Sequence, residues 1–158
     1  MTVALFPGSF DPFHNGHLEV VERATRLFDE VVVASLRNPQ KAEALFTVAE
    51  REEMIAESVA HLPTVRLVSM STLVVDVARQ LGATVIVKGV RAVSDFESEL
   101  QMAQMNRQLS GIETLFLPTG ATYAYIASRL IREVARYGGD VSELVPEPVN
   151  RRLKELGK

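Results

Sequence analysis

Short apolar runs alternate along this chain with longer segments whose apolar positions recur at helical spacing. Residues 2–6, 30–36 and 83–87 read as buried strands, residues 64–70 alternate like a half-buried one, and residues 114–117 form a fifth. Helices are predicted between them. One spans 17–28, and the capping-box spacing Thr47-Val48-Ala49-Glu50 opens another that runs to about residue 60. Ser71 is expected to cap a helix over 72–81 that Gly82 ends. A second capping box, Ser94-Asp95-Phe96-Glu97, starts a helix to about residue 109, and Gly138-Gly139 stops one over 124–137. The tail, 140–158, predicts two short helices separated near Pro146 and packed on the same unit. No repeat, low-complexity stretch or linker interrupts this order.

Strands and helices in alternation imply an α/β fold: a parallel five-stranded sheet with helices on both faces, joined by right-handed crossovers. In such sheets ligands sit beyond the carboxyl ends of the strands. That rule gathers the loops 7–16, 37–46, 71–74, 88–94 and 118–128 on one rim.

The first of these loops is the most informative. Pro7-Gly8-Ser9-Phe10-Asp11-Pro12-Phe13-His14-Asn15-Gly16-His17 follows a strand and runs into a helix. Gly8 permits close backbone approach, Pro7 and Pro12 stiffen the turn, Ser9 supplies a hydroxyl and Phe10 a backbone N–H. His17 falls in the first helical turn, where the helix dipole favours anions and the ring can donate to a phosphate oxygen. His14 serves equally well as a cap or as a site residue. A metal site of Asp11, His14 and His17 is disfavoured, because residues so close on a tight turn often fail to converge.

Composition narrows the options. A chain of 158 residues is most simply one domain, 1–158, long enough for a full core. The apolar runs are far too short to span a bilayer, and no secretory leader pattern is present. The absence of cysteine removes disulfides, thiolate metal sites and cysteine nucleophiles, and agrees with a cytoplasmic location. A net charge of −3 argues against nucleic-acid binding, so a phosphate site must gather its cations locally. Lys41, Lys88, Arg91, Arg129 and Arg132 all fall at strand carboxyl ends or in the helix starts beyond them. Neither a P-loop nor a G-x-G-x-x-G fingerprint is present.

The first loop, then Asn38-Pro39-Gln40-Lys41, then the stretch from Lys88-Gly89-Val90-Arg91 through Asp95 and Glu99 to Asn106, resembles bacterial phosphopantetheine adenylyltransferase, within the H-x-G-H nucleotidyltransferases. The resemblance covers essentially the whole chain. It implies a Rossmann-like fold and formation of dephospho-coenzyme A and pyrophosphate from ATP and 4′-phosphopantetheine with Mg2+. It also implies a homohexamer built as a dimer of trimers, and possible feedback binding of coenzyme A. Carried over by position, Ser9 and Phe10 meet both ligands, and His17 binds ATP phosphates and stabilises the transition state. Lys41, Leu73, Val74 and Lys88 hold phosphopantetheine. Gly89, Val90, Arg91, Glu99 and the run Tyr123, Ala124, Tyr125, Ile126, Ala127, Ser128 and Arg129 surround ATP. His17, Lys41 and Arg91 are the catalytic set.

Three positions depart from that pattern: His14 where threonine is common, Lys88 where arginine is frequent, and Ile126-Ala127-Ser128-Arg129 where the family is rich in hydroxyls. A phosphate monoester, with its second pKa of about 6, is largely dianionic near neutrality and needs no general base. The site has only to align it with the α-phosphorus and neutralise spreading charge, without a covalent intermediate. The rival readings are a nicotinate or nicotinamide mononucleotide adenylyltransferase, a cytidylyltransferase, and a nucleotide-binding regulatory module without turnover.

Overall fold

The computed structural model describes residues 1–37 and 44–157. Strands β1 (Val3–Gly8), β2 (Glu30–Leu36), β3 (Val65–Met70), β4 (Val85–Val90) and β5 (Glu113–Pro118) pair in parallel in the order β3-β2-β1-β4-β5. Helices α1 (Asn15–Ala24), α2 (Val48–Ser58), α3 (Val74–Leu81), α4 (Val93–Ser110), α5 (Ser128–Arg136) and α6 (Glu147–Leu156) complete it. This is the Rossmann-like architecture expected. Adjacent strand residues face opposite ways, so β1 sends Ala4 and Phe6 into one core layer and Val3 and Leu5 into the other. The first layer packs against α1, α2, α5 and α6, the second chiefly against α3. No helix among the described residues is long and apolar enough to cross a membrane.

Beyond β1 the chain order turns back on itself: β2 lies on one side of β1 and β4 on the other. The cleft at such a reversal is where doubly wound sheets bind ligands.

Several boundaries differ from the sequence reading, each for a local reason. Helix α1 begins at Asn15, because the His14 ring caps it, and ends at Ala24 rather than at 28. Ser71 does not cap α3; extended Leu73 precedes it with no side-chain cap. The box expected at Ser94 does not form. Helix α4 starts two residues earlier than expected, after Ala92, and the Asp95 carboxylate reaches back to the Arg91 N–H instead. Residues 121–125 are turn and Ala127 is extended, so α5 starts at Ser128 rather than at 124. The tail holds one helix, α6, rather than two. Its first part is a turn whose Leu144 carbonyl accepts the Asn15 N–H at 2.9 Å, tying it to the start of α1. The Thr47–Glu50 box forms as read, with both arms in place.

Candidate active site

The pocket at the reversal is built from the ends of β1 and β4 and the first turn of α1. Phe10, His14, His17, Lys88, Arg91 and Glu99 line it, with Gly8 and Gly89 in its backbone wall. Phe10 adopts φ 52°, an uncommon conformation for a bulky residue, and buries its ring against Phe6, Phe13 and His17. Gly89 lets α1 pack close to β4: a Cβ there would lie 2.9 Å from a Val20 methyl.

The two histidines share one device. His14 Nδ1 accepts the backbone N–H groups of Gly16 at 3.0 Å and His17 at 3.3 Å. His17 Nδ1 accepts the His14 N–H at 3.1 Å, and the rings stack with centroids 3.6 Å apart. Gly16 makes this possible, since a Cβ there would meet the His14 ring at 2.8 Å. With Nδ1 occupied as an acceptor, each neutral ring carries its hydrogen on Nε2. Burial holds His14 down to about 3, helped by Arg91. Burial also lowers His17 well below the ordinary histidine value, with His14, Arg91 and Lys88 adding to it. The pair therefore acts as two neutral N–H donors at the start of a helix.

The cations are held by carboxylates. Lys88 Nζ lies 3.3 Å from Glu99, and Arg91 makes a two-pronged pair with Asp95 while its Nη1 donates to the Ile126 carbonyl at 2.8 Å. No three His, Asp or Glu side chains among the described residues are arranged to hold a metal ion. Asp11 turns both carboxylate oxygens to the N–H groups of Leu45 and Phe46, away from a shared ligand set with the histidines. The described residues thus do not form a magnesium cage.

The pocket, about 180 Å³, opens through Phe10, His17 and Arg91 into a groove of about 1460 Å³. Ser9, Ala127, Ser128 and Arg129 line that groove. The structure thus brings together Ser9, Phe10, His17, Lys88, Gly89, Arg91, Glu99 and the residues 127–129. Lys41 lies outside the described residues. Leu73 and Val74 stand on the same rim beyond β3 but line neither cavity, and Leu73 is largely exposed. Val90 and residues 123–126 also stand back from both, Ile126 contributing its carbonyl. Ser128 Oγ donates to the Pro12 carbonyl at 2.9 Å, and Arg132 to that of Asp11 at 2.6 Å, so these two brace the first loop.

Sequence reasoning missed Arg51. It is buried, donates to the Ser9 carbonyl at 2.7 Å and the Leu36 carbonyl at 3.3 Å, and joins the ends of β1 and β2. The available signal was a charged residue on the helix face shared with Met54, Ile55 and Ser58, all buried. Glu19 and Arg23 of α1 likewise hold the loop after β5, through the Gly120 N–H and the Pro118 carbonyl.

A parallel sheet whose reversal point carries two neutral imidazole donors, a lysine and an arginine is built to handle phosphates. The chain belongs to the cytidylyltransferase-like family, whose model matches residues 5–134. That makes the protein a nucleotidyltransferase, and the match runs from β1 into α5, taking in every loop of the rim.

Proposed function

We propose that the protein transfers the adenylyl group of ATP to 4′-phosphopantetheine, releasing pyrophosphate and dephospho-coenzyme A. The observation that carries the transfer chemistry is the pair of Nε2–H imidazoles beside Lys88 and Arg91 at the sheet reversal. The acceptor rests on the resemblance of the stretch from Lys88 through Glu99 to Asn106, and on Leu73, exposed on the rim outside both cavities, as an apolar surface for a pantetheine arm.

In this reading the acceptor phosphate dianion attacks the α-phosphorus in line, and the bond to the bridging oxygen of pyrophosphate breaks. Lys88, with Lys41, positions the nucleophile. His17 Nε2–H and the Arg91 guanidinium donate to the oxygens on which negative charge accumulates. Magnesium would travel with the nucleotide's phosphates and neutralise part of their charge, as it commonly does in phosphoryl chemistry. Purified protein with ATP and magnesium is expected to release pyrophosphate with 4′-phosphopantetheine and not with nicotinate mononucleotide. Release with the mononucleotide only would replace the acceptor, and ATP binding with no release from either would favour a regulatory module.

We also propose assembly of several copies, up to the hexamer that the resemblance implies. Helix α4 buries only Asn106 and leaves Val93, Met102, Met105 and Leu109 exposed, while α5 exposes Leu130 and Val134. Sedimentation at micromolar concentration is expected to give a single species several times the 17.4 kDa chain mass. A monomer would sink this part of the proposal.

A further inference from the structure

Asp95 occupies the third position of α4, where a carboxylate is already favourable by complementing the helix dipole. Its geometry asks for more than that. Oδ2 accepts from Arg91 Nε at 3.1 Å and from the Arg91 backbone N–H at 3.3 Å, and Oδ1 accepts from Nη2 at 3.3 Å. On its other side the guanidinium gives Nη1 to the Ile126 carbonyl at 2.8 Å.

A guanidinium has five N–H donors in one plane. Three are committed here, to Asp95 twice and to Ile126 once. Among the described residues the other two have no partner, one on each Nη, on a side chain that lines both the pocket and the adjoining groove. Arg91 is thereby clamped between the start of α4 and the turn before α5, with a pair of hydrogens left over for an anion. A long side chain fixed in this way has already lost the rotamer freedom that it would otherwise lose on binding.

We infer that Asp95 is a positioning residue that acts through Arg91, fixing the guanidinium so that its two uncommitted N–H groups meet the oxygens of a diphosphate. Resting on the adenylyl-transfer reading, this assigns Arg91 to the β and γ phosphates that leave together. The Arg91–Asp95 pair is close to neutral, so its contribution is directed hydrogen bonding rather than net charge. An opposite expectation follows if Asp95 merely occupies Arg91: removing it would then tighten anion binding.

The test uses inorganic pyrophosphate as probe and equilibrium binding as readout, so it does not depend on turnover. Arg91→Ala is expected to weaken binding by about 10- to 100-fold, the loss of charge-assisted hydrogen bonds. Asp95→Ala is expected to weaken it by about 3- to 10-fold through lost orientation. The double variant should bind no more weakly than Arg91→Ala, because Asp95 has nothing left to act through. Asp95→Asn, which keeps the helix start polar, should show the same loss with an unchanged melting profile. Tighter binding by either Asp95 variant, losses that multiply in the double variant, or an Arg91→Ala that binds normally would each overturn the inference. Absence of pyrophosphate release by the unaltered protein would instead count against the adenylyl-transfer reading.

Discussion

His17→Ala is expected to lower turnover by about 10²- to 10³-fold, the usual cost of removing one preorganised donor from a developing oxyanion. Affinity for ATP should fall by much less, on the order of a few-fold. The physical basis is the direction of the ring. His17 Nδ1 is committed to the His14 N–H, so the hydrogen on Nε2 is always available, and burial keeps the ring neutral. A neutral donor gains most when the oxygen it faces acquires charge, which happens in the pentavalent arrangement more than in the bound nucleotide. Measuring kcat together with the dissociation constant for ATP separates the two. Equal losses in both would make His17 a ground-state binding residue.

Acid is expected to destabilise the fold through the same histidines. In the unfolded chain His14 has the ordinary value of 6.5, whereas in the folded protein it is held at about 3. Above 6.5 both states are neutral at this ring and its contribution is fully present. As pH falls from there toward 3, the unfolded chain takes up a proton that the folded one refuses, and stability is lost. At pH 5 the loss from His14 is about 2 kcal/mol, from a shift worth 1.36 kcal/mol per unit. His17, lowered by burial as well, adds in the same direction. Urea unfolding at pH 7 and pH 5 measures the total. His14→Asn keeps an acceptor at the helix cap and removes the titration, so its stability should change less across that interval by about 2 kcal/mol. A variant as steep as the parent protein would refute the assignment.

Much of this arrangement was legible in the sequence because its signals are local. The run from residue 30 to 36 is apolar enough to be read as a buried strand with its observed ends, and the Thr47–Glu50 spacing is its own mechanism. Parallel order then placed the loops on one rim from connectivity alone. Where the reading erred, a group had taken a partner outside the pattern read for it. Helix α4 starts after Ala92, two residues before the box of Ser94 and Glu97 could act, with Asp95 holding Arg91, and the Leu144 carbonyl went to α1 rather than into a tail helix. Arg51 escaped because it acts on carbonyls far along the chain, and Arg132, read as a rim cation, spends an N–H on the Asp11 carbonyl for the same reason. His14 was legible only as an ambiguity, and the structure resolves it by giving the ring both tasks: it caps α1 and lines the pocket.

The parallel sheet also has an opposite end. The turns at residues 61–64 and 82–84 lead into β3 and β4 from the side that carries none of the pocket residues. His61, Pro63 and Gly82 there are exposed, and a Cβ at Gly82 would meet nothing within 4 Å. A strand of six residues separates that end from the cleft, roughly 20 Å at the usual rise. A fluorophore or surface tether attached at position 61 would therefore report on the molecule from its far side, leaving the cleft facing solution.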